Sequence, residues 1–370
     1  MSRVLITGGR APIALDLGRA LRQAGHDVHV ADVFRTKMLA GFAQHIYASP
    51  VHAPLAFAAD VRRLNAYLQP DLIIPLCEEV FHLAPLVGDG ALPLYAPPLA
   101  ILMRLHSKLA FIEWARALGL EAPATERVTA PVDQATAERS VFKPEFSRFG
   151  TRCLVRPTSS ALKHNGLYDK ALSKDWVRQD YIDGDDLCFH ALAQRGRLVA
   201  FAAYRSDWRT KGGASYHFEP LAPDLAARLR DIAAHLISAG NVTGQIACDL
   251  RHDGADRLWL IECNPRGTSG LHLLTYDPQA LSRALLSPDA DPLDGDARPA
   301  GVGLAMLLYG VPEALRRGRW AQWRRDRTAR DVLKGARLAA LGDSLAYSLA
   351  AAWRGQDLAT FLTRDIECNG

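Results

Sequence analysis

The sequence predicts an α/β protein that opens with a parallel β-sheet covered by helices on both faces. Three observations support this prediction. The first hundred residues alternate strand patterns with helical patterns, which is typical of parallel sheets. The segments VLIT (4–7) and DLIIPL (71–76) are strand-like apolar runs. A chain of 370 residues, 49% of them hydrophobic, is also long enough for two or three domains with buried cores.

The elements of this first unit follow in order. Strand 4–7 leads into the turn GGRAP and a helix over 13–23, which ends at Gly25 because glycine suits the left-handed position after a helix. The strand HDVHVAD and a further strand and helix precede 71–76. Ser107 is expected to cap a helix that ends at Gly119.

From residue 121 onward the pattern changes to shorter strands joined by turns. A short strand is predicted at 141–143, a hairpin at 187–193 and 198–204, and a helix that Gly240 terminates. Two alternating strands, GQIACDL and LWLIECN, follow it, and the region after 287 is rich in Pro, Asp and Gly, then basic, then helical. The predicted domains span 1–100, 101–185, 186–285 and 286–370.

Composition narrows the class of protein. The net charge of +4 is small, and the six cysteines lack CxxC or zinc spacing. No apolar run approaches the ~18 residues of a membrane span. The N-terminus enters a strand without the regions of a signal peptide. We therefore expect a cytoplasmic protein with reduced cysteines, no nucleic-acid partner and no membrane span.

A polar cluster is predicted where the segment LWLIECNPRGTSG (258–270) leaves its apolar run. Side chains two positions apart share one face of a strand, so Glu262 and Asn264 point the same way. A hairpin that closes near Ala255 and Asp256 places Asp249 opposite Glu262. Two carboxylates and an amide oxygen are suitable ligands for Mg²⁺. The alternative is that these are solvent-facing strand residues.

This arrangement resembles the metal site of the ATP-grasp superfamily of carboxylate–amine or carboxylate–thiol ligases. The segment VRQDYIDGDD (177–186) resembles the hinge that binds adenine and ribose in that family. By this resemblance the adenine-binding residues are Gln179, Asp180, Tyr181 and Ile182, and Asp186 holds the ribose. Lys108 and Lys143 match two further lysines that bind the nucleotide. The resemblance covers residues 1 to about 285.

The resemblance implies a Rossmann-like domain, two α+β lobes that clasp ATP, and a helical C-terminal extension. It implies an enzyme that uses ATP and Mg²⁺, with Mn²⁺ as an alternative, to join a small-molecule carboxylate to an amine through an acyl phosphate. Asp249, Glu262 and Asn264 would hold the metal, and Lys143 and Arg266 would act on the transferring phosphoryl group. Apart from the resemblance, Lys211 lies in the basic loop YRSDWRTKGGAS with Arg205, Gly212 and Gly213, and this loop either covers the triphosphate or is simply solvated.

The sequence also departs from the family pattern. The phosphate loop SRFGTR (147–152) has only Gly150, where the family is usually rich in glycine, although Arg148 and Arg152 flank it. Gln179 stands where Glu is common, and Asp186 is one methylene shorter than the usual Glu. The metal-binding triad is complete, which argues against an inactive relative.

Other functions remain open at this stage. The turn TGGRAP with Asp32 resembles a dinucleotide-binding turn, so an NAD(P)-dependent oxidoreductase is one alternative, and a non-catalytic ATP-binding protein is another. Glu78 and Glu79 follow a parallel strand and either bind an amine or serve a helix N-terminus. No catalytic base is identified. The histidine candidates for that role are His190, His217 and His272.

The segment 316–337 contains nine basic and two acidic residues, with two tryptophans among them. We expect it to pack on the acidic remainder of the molecule and to stay off anionic membranes. An acidic partner, such as a carrier protein, is the alternative, and a homodimer is a further expected assembly.

Overall fold

The computed structural model describes residues 1–88, 92–147, 152–165, 167, 175–210 and 213–369. Three β-sheets follow one another along the chain. Among the described residues, no helix is both long enough and apolar enough to span a bilayer.

The first sheet is parallel, as predicted. Its strands are β1 (Arg3–Thr7), β2 (Asp27–Asp32), β3 (Ala43–Ile46) and β4 (Leu72–Pro75). They lie in the order β3-β2-β1-β4. The helices of this unit are α1 (Pro12–Gln23), α2 (Pro54–Leu68) and α3 (Val80–Leu83). Proline starts α1 and α2, where the missing N–H is not needed, and Gly25 follows α1 with a φ of 90°.

The second sheet is small and antiparallel, with its own apolar core. Two helices precede it: α4 (Leu99–His106) and α5 (Lys108–Ala117). The strands are β5 (Thr125–Arg127), β6 (Ser140–Pro144), β7 (Leu154–Val155) and β8 (Trp176–Asp180), in the order β5-β8-β6-β7. The helices are α6 (Gln134–Ala137) and α7 (Ser159–His164). Ser107 caps α5 as predicted, because its hydroxyl accepts the N–H of Ala110 at 3.0 Å.

The third sheet carries the predicted metal-site hairpin. Its long strands are β9 (Asp185–Gln194), β10 (Arg197–Arg205), β11 (His217–Pro220), β12 (Gly244–His252) and β13 (Leu258–Asn264). Helices α8 (Pro223–Ala239) and α9 (Pro278–Leu286) belong to the same lobe. Helix α8 and the predicted hairpin β9–β10 contain the residues that the sequence indicated, and Gly240 ends the helix.

The region after residue 286 ends in helices, as predicted, and it also contributes three short strands to the third sheet. Its strands are β14 (Leu293–Asp294), β15 (Ala300–Gly301) and β16 (Arg330–Asp331). They join the third sheet, with β15 and β16 beyond β11 and β14 beside β10. Two-residue strands are too short to show a period in the sequence. The helices are α10 (Gly303–Ala305), α11 (Val311–Arg316), α12 (Trp320–Asp326), α13 (Arg337–Trp353) and α14 (Leu358–Thr363).

One apolar core extends across the first sheet, the third sheet and the C-terminal region. A buried polar network crosses the same boundary: Asp16 of α1 accepts from His272 at 2.9 Å and from Thr275 at 2.7 Å. Arg330 of β16 donates to Asp16 at 3.1 Å and also to the His272 carbonyl. The second sheet does not share this core, because its buried residues form a separate cluster.

Candidate active site

The hairpin β12–β13 brings the predicted metal ligands together. Asp249 pairs with Glu262 and Ala247 pairs with Asn264, so the predicted register is correct at the site. A β-bulge follows, and Leu250 pairs with Leu260 instead of Ile261. The bulge shifts the rest of the hairpin by one residue but leaves the ligand face intact.

The electrostatics of the two carboxylates differ. Burial, and then the negative charge of Glu262, raise the pKa of Asp249 to about 6. Burial alone would also raise the pKa of Glu262, but Lys108 and Lys143 hold it below its usual value. Within the described residues Asp249 therefore has no cation at salt-bridge distance, whereas Glu262 has two. Among the described residues, no group of three or more His, Cys, Asp or Glu side chains lies close enough together to hold a metal ion by itself.

Two buried lysines from the second lobe point at Glu262. Lys143 of β6 places its Nζ atom 3.4 Å from Glu262 Oε2, and Lys108, the first residue of α5, places its own at 3.9 Å. Each lysine is 4% exposed. Burial lowers the pKa of Lys108, and the charge of Glu262 opposes that shift. Lys108 Nζ also donates to the Ser147 carbonyl at 2.8 Å. The structure thus brings these two lysines together around Glu262.

Arg266 links this site to the first domain. Its Nη2 atom donates to Asn264 Oδ1 at 3.2 Å, and its Nε atom lies 4.0 Å from Glu78 Oε1. Glu78 Oε2 in turn accepts the N–H of Cys368 at 3.1 Å. The C-terminal residues therefore lie against the same edge of the first domain as the catalytic candidates, a contact that the sequence did not indicate.

The predicted hinge joins β8 to β9. Gln179 is buried, and its amide nitrogen donates to Thr125 Oγ1 at 3.0 Å and to the Ile261 carbonyl at 3.3 Å. This orientation leaves the amide carbonyl to accept a hydrogen bond from a ligand. The N–H groups of Asp180 and Tyr181 donate to Ala124 and Arg139. Within the described chain, the N–H of Ile182 is the one of these three without an internal acceptor.

The turn of the hinge requires glycine. Gly184 has a φ of 150°, and a Cβ atom there would lie 2.2 Å from the His252 carbonyl oxygen. Asp186 lies two residues further on and is the acid predicted to bind ribose. Its Oδ1 atom is 3.0 Å from Arg251 Nε, and its Oδ2 atom is 3.2 Å from Arg209 Nη1. Asp186 is therefore held between two arginines while its side chain stays 42% exposed.

Solved structures share this architecture over most of the chain. N5-carboxyaminoimidazole synthetase from Staphylococcus aureus, complexed with ADP, matches 85% of this chain and 86% of its own, with a TM-score of 0.65 and 14% identity. The biotin carboxylase domain dimer of Hydrogenobacter thermophilus 2-oxoglutarate carboxylase, in complex with MgADP, ADP and bicarbonate, matches 78% of this chain and 70% of its own, with a TM-score of 0.62 and 15% identity. No protein-family model and no curated protein sequence matches.

The chain has the ATP-grasp fold. A further structural match, biotin carboxylase from Campylobacter jejuni, has a TM-score of 0.61 with 12% identity over 79% of this chain and 72% of its own. The expected order of a parallel α/β domain and two antiparallel lobes is confirmed.

Arg209 lies beside the predicted site residues, and the sequence did not indicate it. It belongs to the loop that follows β10, and besides contacting Asp186 its positive charge lowers the pKa of Asp249. Arg209 therefore acts electrostatically on both Asp186 and Asp249. Arg205, which the sequence indicated, is exposed and pairs across strands with Glu219. Lys211 and Gly212 lie outside the described residues, as do Arg148 and Gly150.

Two acidic side chains of the first domain already have hydrogen-bond or ion-pair partners within that domain. Asp32 accepts the N–H of Arg10 at 2.8 Å and pairs with its guanidinium, so the acid of the supposed dinucleotide turn already has a cation. Glu79 is buried and accepts from Thr7 Oγ1 at 2.7 Å, and burial raises its pKa. Glu79 therefore has partners within the first domain, and its side chain makes no cap hydrogen bond to α3.

The three candidate histidines are buried. His190 bonds to Thr268 through Nδ1 at 3.1 Å, and burial lowers its pKa to about 3. His272 belongs to the network around Asp16, and burial lowers the pKa of His217. Of these, His190 is nearest in register to the metal face, because it pairs with Ala247, two residues from Asp249.

Proposed function

We propose that this chain is an ATP- and Mg²⁺-dependent ligase that joins a carboxylate to an amine through an acyl phosphate and releases ADP and phosphate. The observation that carries the proposal is the convergence of Lys143 and Lys108 on Glu262, directly across the hairpin from Asp249. Buried cations beside paired carboxylates suit a site that binds phosphate groups and a divalent metal together.

The nucleotide would lie between the hinge and the hairpin. In this proposal the Gln179 carbonyl accepts from the adenine amino group, the N–H of Ile182 donates to the ring, and Asp186 binds the ribose hydroxyls. Arg209, which acts on both Asp186 and Asp249, would then lie along the phosphates. Its planar fork of donors suits phosphate oxygens.

The donor set fits a magnesium ion. Asp249, Glu262 and Asn264 supply oxygen atoms from one face of the hairpin, and the raised pKa of Asp249 reflects a negative charge that a cation would balance. Mn²⁺ would suit the same oxygens. When bound, the metal would neutralise phosphate oxygens and lower the barrier to phosphoryl transfer.

The side chains perform positioning and charge neutralisation, and no side-chain nucleophile is required. A carboxylate oxygen of the substrate attacks the γ-phosphorus, the bond to the β-phosphate oxygen breaks, and ADP leaves. The amine then attacks the acyl carbon, phosphate leaves and the amine loses a proton. Lys143 and Arg266 would stabilise the negative charge on the transferring group, and Lys108 the charge on the nucleotide phosphates.

We also propose a division of the chain into domains and a cellular compartment. We assign the domains as 1–100, 101–185, 186–285 and 286–370, since each of the first three contains its own sheet, apart from Asp185 at the start of β9. All six cysteines are free thiols, which suits a reducing cytoplasm. The dinucleotide alternative is disfavoured because Arg10 occupies Asp32.

A substrate screen tests the function. The purified protein would be incubated with ATP, Mg²⁺ and a panel of amino acids and polyamines, and ADP and phosphate release would be measured. We expect release that needs Mg²⁺ and at least one carboxylate–amine pair from the panel, and no signal with NAD(P)H. Binding of ATP without stimulated release by any pair would favour a non-catalytic ATP-binding protein.

A further inference from the structure

The outer face of helix α13 is apolar and uncovered. Leu338, Leu345, Leu349 and Trp353 are 86%, 57%, 72% and 86% exposed, and their spacing places them on one side of the helix. Between the two ends of α13 the only charged residue is Asp343, which is buried. A helix that is apolar on all sides is normally buried, so this face is suited to a partner.

The opposite face of α13 is anchored on the first domain. Asp343 accepts the N–H groups of Lys37 and Met38, each at 2.9 Å, and Ala340 belongs to the shared core. Tyr347 packs against Phe34 with ring centroids 5.2 Å apart. The helix is thus fixed with its apolar face outward.

A basic cavity adjoins this helix at its N-terminal end. The cavity has a volume of about 490 Å³ and lies between α1, residues 37–42 and the start of α13. Arg19, Arg22 and Lys37 line it over an apolar floor that includes Phe42 and Ala339. None of these three cations has a carboxylate within salt-bridge distance in the described part of the chain.

One of these cations, Lys37, also borders the apolar face of α13. The Nζ atom of Lys37 lies 3.8 Å from the position of a Cβ atom on Gly342, which lies between Leu338 and Leu345. Arg19 donates to the Lys334 carbonyl at 2.8 Å, and the Lys334 side chain is exposed. Positive charge and apolar surface therefore form one continuous patch.

We propose that this patch, formed by the outer face of α13 and the cavity of Arg19, Arg22 and Lys37, docks on an anionic membrane surface. The leucines and Trp353 would enter the boundary between headgroups and acyl chains, and the cations would bind lipid phosphates. A second copy of the chain is disfavoured because it would bring these cations against one another. Trp323 of the segment 316–337 is buried, as expected, but the outer face of α13 is uncovered, so this proposal reverses the expectation from the sequence that the protein stays off anionic membranes.

Sedimentation with vesicles tests the proposal at ~0.15 M salt, where screening already reaches ~8 Å. One set of vesicles contains phosphatidylcholine alone, and the other includes phosphatidylglycerol. We expect the wild-type protein to sediment with the second set only. The double variant Leu345→Glu, Leu349→Glu should lose about tenfold or more in bound fraction, because charge is expelled from the acyl boundary. Lys37→Ala with Arg19→Ala should weaken binding to the anionic vesicles as well.

The matched control is Leu55→Glu, since Leu55 of α2 is an equally exposed leucine at 88%. It should bind as the wild type does, and thermal unfolding should show that all variants are folded. Failure of the wild type to sediment would overturn the proposal, as would unchanged binding by the double variant. If light scattering shows a dimer that only the double variant breaks, while vesicles bind neither protein, the patch is an interface between copies. Stoichiometric binding of an acidic carrier protein with no vesicle binding would likewise replace the membrane by that partner.

Discussion

Lys143 Nζ lies 3.4 Å from Glu262 Oε2, across the boundary between the second and third sheets. The lysine belongs to β6 and the glutamate to β13, so the contact depends on how the two lobes are placed. Lys108 approaches the same oxygen at 3.9 Å. A single carboxylate therefore joins these cations to the proposed metal ligands of the hairpin β12–β13.

The variant Glu262→Gln should lose nearly all turnover. A neutral amide cannot balance a metal ion, and it leaves the two lysines without their shared anion. We expect kcat for ADP release to fall more than about tenfold, which is a rise in barrier above ~1.4 kcal/mol. The fold should persist because both lysines keep backbone acceptors, at Ser147 and Ile261. Glu126→Gln, at a carboxylate whose side chain is 65% exposed, is the control. Retention of more than a tenth of wild-type kcat would remove Glu262 from the metal site.

The variant Asp186→Ala should raise the KM for ATP about tenfold and change kcat much less, since ribose contacts are equal in the ground and transition states. Steady-state kinetics with varied ATP measure both constants. The neighbouring Asp185→Ala is the matched control, because alternate residues of a strand point to opposite faces. An unchanged KM would mean that Asp186 serves only to hold Arg209 and Arg251.

The variant Arg209→Ala should lower kcat/KM for ATP by about tenfold or more, because one bidentate cation along the phosphates would be lost. Arg209→Lys should recover part of the loss by retaining the charge. Arg205→Ala, in the same segment but beside Glu219, should behave as the wild type. If Arg205→Ala and Arg209→Ala were equally impaired, the loop would matter as a whole and the specific position of Arg209 would not.

Acid should destabilise the protein through its buried histidines. Burial lowers the pKa of His190 to about 3, so the unfolded chain binds a proton that the native state does not. This contribution to stability is complete above the unfolded pKa of ~6.5 and is lost as pH falls below it, by about 2 kcal/mol for one histidine at pH ~5. Urea unfolding at both pH values should show a smaller pH effect for His190→Asn than for the wild type. The exposed control His164→Asn should keep the full effect, and an equal effect in all three proteins would contradict the assignment.

The sequence was sufficient to predict the hairpin β12–β13 but not the contacts around it. Asp249 and Glu262 were placed opposite each other because a short turn and strict alternation determine the register of a hairpin. The same reasoning could not show the bulge at Ile261, since residues 258–261 are all apolar and have no alternation that an extra residue would interrupt. The lysines and the hinge were identified through family resemblance rather than through any period in the chain.

Contacts between segments that are far apart in the chain could not be predicted from the sequence. Asp186 is contacted by Arg251 of β12 and by Arg209 of the loop after β10. Cys368 contacts Glu78, which lies 290 residues before it in the chain. Glu79 looked like a ligand because it follows a strand end, but its burial against Thr7 depends on tertiary packing. Spacing along a chain carries no information about such encounters.

The first sheet, the third sheet and α13 share one core, and this core should determine which parts of the molecule unfold together. Because Asp16, His272 and Arg330 tie these parts together, they should exchange their amide hydrogens as one cooperative unit. The second lobe has a separate core around Phe142 and Trp176, and it should exchange independently and earlier. Lys143 would then leave Glu262 through sub-global unfolding, while Lys108, whose helix α5 shares the core of the third sheet, and the hairpin β12–β13 would remain protected.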